Sequence, residues 1–223
     1  MLKLLCVYLG EISEMYKRYI KRILDFFLSL IAIIILSPVF LVISIMVMIG
    51  MGFPIIFSQE RIGLNERPFK FYKYRSMTNA RDKDGNLLDE TQRITKFGSF
   101  IRSSSLDELP ELFLILTGKM SVIGPRPLPT YYMPYYTQKE RKRHTVRGGL
   151  IPADTISGKS IVTWDEQLDW DVFYAENCSF MLDIKILLIT FKVLLQRATE
   201  NYGSSDRPHL NEERSGKRDN ISR

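Results

Sequence analysis

The 223-residue sequence is poor in soft ligands: two cysteines, Cys6 and Cys178, and two histidines, His144 and His209. None lie at the spacing of a zinc site, and two distant cysteines do not make a disulfide scaffold, so a reducing, cytosol-facing compartment fits best. Internal repeats are absent. A cleavable signal peptide is also excluded, because the basic region ahead of the apolar run is too long and no small-x-small site closes it. Acidic excess is missing as well: 31 Lys+Arg against 25 Asp+Glu leave a net charge of +6. That balance biases encounters toward anions such as nucleic acid, nucleotides, lipid headgroups or other phosphorylated molecules. With 45% apolar residues the chain can bury a core of one domain plus an appendage, which excludes a fibrous or wholly disordered protein.

The longest absence is of charge. None of the 34 positions from 26 through 59 is Asp, Glu, Lys or Arg. Runs of 18 or more apolar residues read as membrane segments, ahead of a buried soluble helix. Positions 26 to 51 would make a straight helix of ~39 Å, longer than a ~30 Å hydrocarbon core. Ser37-Pro38 falls near its middle, where proline removes a backbone hydrogen bond and a neighbouring serine hydroxyl can take the freed carbonyl. The flanks tie in positive charge: Lys3, Lys17, Arg18, Lys21 and Arg22 before, Arg61, Arg67, Lys70, Lys73 and Arg75 after. A tie favours a re-entrant helix-break-helix that enters and leaves by the cytosolic face over a single crossing, which normally has one poorer flank. Asp25, three residues after Arg22, is expected to form a snorkelling interfacial ion pair with it.

Beyond this segment the pattern predicts a small, mixed α/β cytosolic domain rich in helices. Phe69 to Tyr74 alternates aromatic and basic residues as a strand with one wet face would, and residues 79 to 90, around Asp84-Gly85-Asn86, read as a polar loop. Ser103-Ser104-Ser105 supplies N-caps for a helix from Leu106 through Leu116, with Gly118 as its stop. Two late helices are expected at Asp165 to Asn177 and Phe180 to Arg197. The second carries too many charges to cross a bilayer, so it belongs in the core or on the membrane surface. The expected divisions are a basic flank (1–22), a membrane-embedded re-entrant segment (23–57), the cytosolic domain (58–200) and a disordered polar tail (201–223).

Asp107-Glu108 is the pair best suited to chemistry. Consecutive residues diverge around a helix axis, so two distinct roles are more natural than one shared role. A carboxylate can approach phosphorus bearing anionic oxygens only if cations offset the repulsion, and Lys73, Arg75, Arg102, Arg126 and Arg147 are the candidates. Magnesium would help in the same way, bridging one or two carboxylates to substrate phosphates. Acidic residues in a first helical turn are also ordinary capping composition.

The ordered set Lys21-Arg22-Ile23-Leu24-Asp25-Phe26, Ser37-Pro38, Phe57-Ser58-Gln59-Glu60-Arg61-Ile62-Gly63, Lys73-Tyr74-Arg75-Ser76-Met77, Arg102 through Pro110, and Ser121 through Pro127 resembles the bacterial sugar transferases, in their small monotopic form, over roughly residues 16 to 197. The resemblance implies a polyprenyl-phosphate phosphoglycosyl transferase of the bacterial inner membrane. Its catalytic domain would face the cytosol and start a surface glycan pathway. Such an enzyme moves a phosphosugar from a nucleotide diphosphate sugar, usually a UDP-sugar, to undecaprenyl phosphate and releases UMP. By analogy Asp107 would form a covalent aspartyl phosphosugar. Glu108 would be a metal ligand or a base, Asp107 and Glu108 would hold Mg2+, and Lys73, Arg102 and Arg126 would line the phosphate site. The expected partners are therefore nucleotide sugar, undecaprenyl phosphate and inner-membrane lipid, without nucleic acid, and a homodimer stays open.

The chain departs from the family pattern at Arg147-Gly148-Gly149-Leu150-Ile151-Pro152-Ala153-Asp154-Thr155-Ile156, where Arg-Pro-Gly-Ile-Thr-Gly-Trp-Ala-Gln-Val is common. That leaves the accepted sugar and the part played by Arg147 open. Two other readings remain beside this one: a membrane-tethered anion-binding or scaffold protein, and a family member that has lost activity.

Overall fold

The computed structural model describes residues 14–159, 162–197 and 208–214. A π-helical turn, Tyr16–Ile20, leads into α1 (Lys21–Met51). Then come β1 (Ile56–Ile62), β2 (Pro68–Tyr74), α2 (Glu90–Arg93), α3 (Lys96–Ser103), a 3-10 turn at Leu106–Glu108, and α4 (Glu111–Leu116). The rest runs β3 (Ser121–Gly124), α5 (Gln138–Arg141), β4 (Gly149–Pro152), α6 (Trp164–Asn177), α7 (Phe180–Arg197) and α8 (Leu210–Glu213), with 3-10 turns between them. β1 and β2 form an antiparallel pair with Ile56 opposite Tyr74, and β3 pairs with β4 in parallel. The result is the expected helix-rich mixed domain behind one long apolar helix.

α1 has a mean hydropathy of 3.0 in its most apolar window, which makes it long and apolar enough to cross a membrane. It is continuous for 31 residues across Ser37-Pro38, so the expected break is not an interruption of the helix. Proline leaves the Ile34 carbonyl without its usual donor, and the Ser37 hydroxyl donates to that carbonyl at 2.9 Å. One face of α1 packs on the domain along its whole length, with residues at spacings of three or four: Lys21, Asp25 and Ser29, then Ala32, Leu36 and Phe40, then Ile43 and Val47. The opposite face leaves Ile31, Ile34, Ile35, Leu41 and Ile49 exposed.

Asp25 does not pair with Arg22. Its two oxygens accept from the Ser121 hydroxyl (2.7 Å) and the Val122 backbone N–H (3.0 Å), while Arg22 donates to the carbonyls of Ile115 and Leu116 at the end of α4. The domain supplies better-fixed partners than a side chain one turn away, so the carboxylate is buried rather than snorkelling.

The expected helix from Leu106 to Leu116 is split. Ser105 adopts a left-handed φ of 56°, Leu106–Glu108 is a 3-10 turn, and α4 starts only after Pro110, which cannot donate to a continuing helix. The loop at 79–90 is as expected, organised by Asp82, whose Oδ1 accepts from the Asp84 and Asn86 backbone. α7 buries Ile186 and Asp183 and leaves Met181, Leu188 and Phe191 exposed. Part of the supposed disordered tail is ordered: in 208–214, Leu210 is fully buried against Tyr132, Trp164 and Leu168. Residues 201–207 and 215–223 of that tail, like Lys3 and Cys6 at the other end, lie outside the described residues.

The altered segment after Arg147 becomes β4 and the 3-10 turn Ala153–Ser157. A Cβ on Gly149 would lie 2.1 Å from the Gly124 nitrogen, so only glycine lets β4 come this close to β3.

Candidate active site

Lys73 stands near the end of β2 on the same face as buried Phe69 and Phe71, with Tyr74 on the other, and its side chain meets the 3-10 turn. Its Nζ lies 2.5 Å from Glu108 Oε1, 3.6 Å from Asp107 Oδ2 and 3.7 Å from Glu111 Oε1. Arg126 closes the other side of Glu108, with Nη2 at 2.5 Å from the same oxygen. The Arg126 backbone is held in turn by Arg143, fully buried against Asp171 at 2.6 Å, whose Nη2 donates to the Arg126 carbonyl. Burial pushes the Asp171 carboxyl up to about 6 despite that partner.

The three carboxyl groups are distinguished by their surroundings. Burial raises Asp107 above its ordinary value, against the pull of Lys73 and Arg102. Burial also opposes ionisation of Glu108, yet Arg126 and Lys73 outweigh it and hold the group at about 2. Glu111 is the member missed in the sequence. Burial, with the Glu108 charge behind it, pushes Glu111 up to about 8, and its Oε1 has no hydrogen-bond partner. Its only sequence signal is a third acid four residues beyond Asp107, which α4 turns inward.

Asp107, 6% exposed, lines a cleft of about 730 Å³. Lys73, Arg75 and Arg102 line it too, as expected, joined by Arg61 and Arg93, which the sequence did not single out. Arg61 lies 3.8 Å over the Phe71 ring and donates to the Pro127 carbonyl, and burial lowers it to about 10. Arg75 donates to the Pro54 carbonyl at 3.1 Å. Arg102 Nη1 is 3.8 Å from Glu90. Arg126 reaches the site through Glu108. Arg147 does not line the cleft: its Nε donates to the Gly118 carbonyl at 2.9 Å, just beyond the end of α4. Tyr131, Tyr132, Trp164 and His209 line the cleft as well.

Five cations lining one cleft with a buried aspartate suit an anion with several charged oxygens. Among the described residues no group of three or more His, Cys, Asp or Glu could hold a metal by itself. Asp107 and Glu108 are the acids that would hold magnesium, which takes one or two protein oxygens, although Lys73 Nζ already lies 2.5 Å from Glu108 and 3.6 Å from Asp107.

The model of the bacterial sugar transferase family matches residues 16–197. The chain belongs to the bacterial sugar transferases. It is 40% identical over 176 residues to the uncharacterized sugar transferase EpsL of Bacillus subtilis, covering 79% of this chain and 87% of that one. It is 35% identical over 190 residues to the UDP-glucose:undecaprenyl-phosphate glucose-1-phosphate transferase of Klebsiella pneumoniae, covering 80% of this chain but 41% of that one. The UDP-N-acetylgalactosamine-undecaprenyl-phosphate N-acetylgalactosaminephosphotransferase of Aeromonas hydrophila is 32% identical over 185 residues, 79% of this chain and 44% of that one. The chain thus spans most of the first relative and under half of the other two. Its family membership makes it an enzyme, a phosphoglycosyl transferase.

Proposed function

We propose that this transferase moves a sugar phosphate from a nucleotide diphosphate sugar, a UDP-sugar, to undecaprenyl phosphate, through a covalent aspartyl phosphosugar on Asp107. The observation that carries it is the placement of one buried carboxylate on the wall of a cleft lined by Arg61, Lys73, Arg75, Arg93 and Arg102. In the first step an Asp107 oxygen bonds to the sugar-bearing phosphorus, the anhydride bond breaks and UMP leaves with the electron pair. In the second, an oxygen of the lipid phosphate attacks that phosphorus and the acyl-phosphate bond breaks, restoring the carboxylate. The cations offset charge on the phosphate oxygens throughout.

Of the two roles open to Glu108, its electrostatics favour metal ligand and cation holder. A carboxyl held at about 2 is a feeble proton acceptor at neutral pH, and a phosphate monoester with a second pKa of about 6 has already lost most of its protons there. Magnesium held by Asp107 and Glu108 would supply further positive charge at the donor phosphates.

The membrane arrangement that fits best is re-entry from the cytosolic face, with the domain on that side. The domain packs along α1 from Lys21 to Val47, and a single upright crossing would carry those packed elements into lipid as well. Exposed Phe100, Phe113, Met181, Leu188 and Phe191 are suited to the interface instead. Impermeant labelling of cysteines placed at 14 and 53 in intact cells should leave both unmodified, and modification of either would exclude re-entry from the cytosol.

The chemical test is intact-mass analysis of purified protein mixed with a panel of UDP-sugars without lipid acceptor. One donor should add one sugar phosphate at Asp107 and release UMP. An adduct mapped to another residue, or UMP release by Asp107→Asn at the wild-type rate, would sink the proposal.

A further inference from the structure

The cleft is finished by a part of the chain that lies beyond the family match. Residues 208–214 follow the end of that match at 197, yet they are fastened to the cleft wall at four points. Leu210 is fully buried in the cluster of Tyr132, Trp164 and Leu168. The Trp164 indole N–H donates to the Pro208 carbonyl at 2.9 Å. Arg214, itself buried, donates to both oxygens of Glu140 at 2.9 Å, to Asp165 and to the Tyr135 carbonyl. His209 stays exposed, with its Nδ1 3.0 Å from the Tyr132 hydroxyl, and lines the same cleft as Asp107.

These anchors fix rings in the wall of the same cleft that Asp107 and the cations line. Tyr131 meets Tyr132 edge-on at 4.7 Å, and Tyr132 meets Trp164 edge-on at 5.7 Å. Buried Tyr132 and Trp164 thereby hold exposed Tyr131 and His209 in place, and rings so fixed can meet a flat ligand at small entropic cost. A nucleotide diphosphate sugar has this division: charged phosphates in the middle and an uncharged ring at each end.

We infer that residues 208–214 are a specificity-determining element of the donor site, where His209 with Tyr131, held by buried Tyr132 and Trp164, receives one ring-bearing end of the donor while the cations take its phosphates. The inference rests on the proposed function, since it assigns a second part of the same cleft. His209 is a binding residue in it, and Leu210 and Arg214 are positioning residues.

The test uses the full chain in detergent, with His209→Ala as a surface change and Leu210→Asp to detach the segment. Both are titrated calorimetrically with UMP and with glucose 1-phosphate, and assayed for KM and kcat. Loss of one stacking or hydrogen-bonded ring contact should raise the donor KM roughly tenfold in Leu210→Asp and somewhat less in His209→Ala. The KM for undecaprenyl phosphate should stay unchanged and kcat should fall less than about twofold, which a merely loosened fold would not do. Weakened UMP binding would assign the nucleoside to this wall, and weakened glucose 1-phosphate binding alone would assign the sugar. Should wild-type protein bind neither ligand and release no UMP from any donor, the proposed function itself falls and takes this inference with it. Should the wild type bind and turn over while His209→Ala, still folded, keeps donor KM and both affinities, only this inference is overturned.

Discussion

Among the buried charges of the described residues, the cluster at the foot of α1 and the one at the cleft differ in how completely they are satisfied. At the foot of α1, Asp183 accepts from Lys21 (2.7 Å), Tyr16 (2.6 Å) and Tyr174 (2.6 Å), and both oxygens of Asp25 are taken by Ser121 and Val122. At the cleft, Lys73 is shared among three carboxylates, while Glu111 Oε1 and the Nε atoms of Arg61 and Arg93 have no hydrogen-bond partner. A saturated cluster fixes the fold, because any change leaves an orphan in low dielectric. An unsaturated one leaves donors such as the Arg61 and Arg93 Nε atoms free to meet an acceptor. The first joins helix to domain, and the second faces the cleft.

The sharpest way to break the comparison is at its reactive end. Asp107→Asn removes the attacking oxygen's charge but keeps its shape, and turnover should fall by at least ~10³-fold with thermal stability unchanged or slightly raised. UMP release and a melting curve on the same preparation check both halves. At the saturated end the pattern inverts. Asp25→Ala leaves the Ser121 hydroxyl and the Val122 N–H buried without acceptors, which should cost about 3 kcal/mol in a denaturation series, while the folded fraction keeps its kcat.

The sequence already held most of the reactive cluster and little of the saturated one, for a physical reason. Asp107, Glu108, Lys73 and Arg126 were legible because chemistry needs those residue types in fixed motifs, and the fold class followed from periodicity and one uncharged run. Asp25 was misassigned to Arg22 because local spacing is visible in a sequence, whereas Ser121, 96 positions away, is not. The helix boundary at Pro110 was misjudged because the left-handed Ser105 is set by the packing of the turn and not by serine propensity. Glu111 and the ordered 208–214 segment escaped notice for a related reason: their meaning depends on burial, and a polar composition argues against burial until Leu210 and Arg214 find their partners.

A smaller effect sharpens the contrast within the cleft itself. Glu111 is raised to about 8 from an ordinary value of 4.5. A carboxyl raised on folding stabilises the native state most below its unfolded value, and that contribution is lost as pH rises from about 4.5 toward 8. Glu111→Gln is neutral at every pH, so it should gain about 2 kcal/mol over wild type at pH 8.5 and close to nothing at pH 5. Melting curves at the two pH values decide it. An equal gain at both would mean that the buried charge is better compensated than its unpartnered oxygen suggests.

The smallest change is expected at Arg147, which the motif pointed to as a phosphate ligand and the fold uses otherwise. Its Nε and the guanidinium of Arg22 converge on the carbonyl end of α4, where positive charge meets the unsatisfied groups and the negative pole of the helix. Losing one such partly buried hydrogen bond should cost about 1 kcal/mol. Because α4 begins with Glu111, a frayed terminus could reach the cleft only through the helix body, which Leu112, Leu114 and Ile115 anchor in the core. Arg147→Ala should therefore leave donor KM within about twofold of wild type, whereas loss of a direct phosphate contact would raise it tenfold or more. A large rise in KM without loss of stability would return Arg147 to the substrate and show that the cleft closes further around its donor than the ligand-free arrangement does.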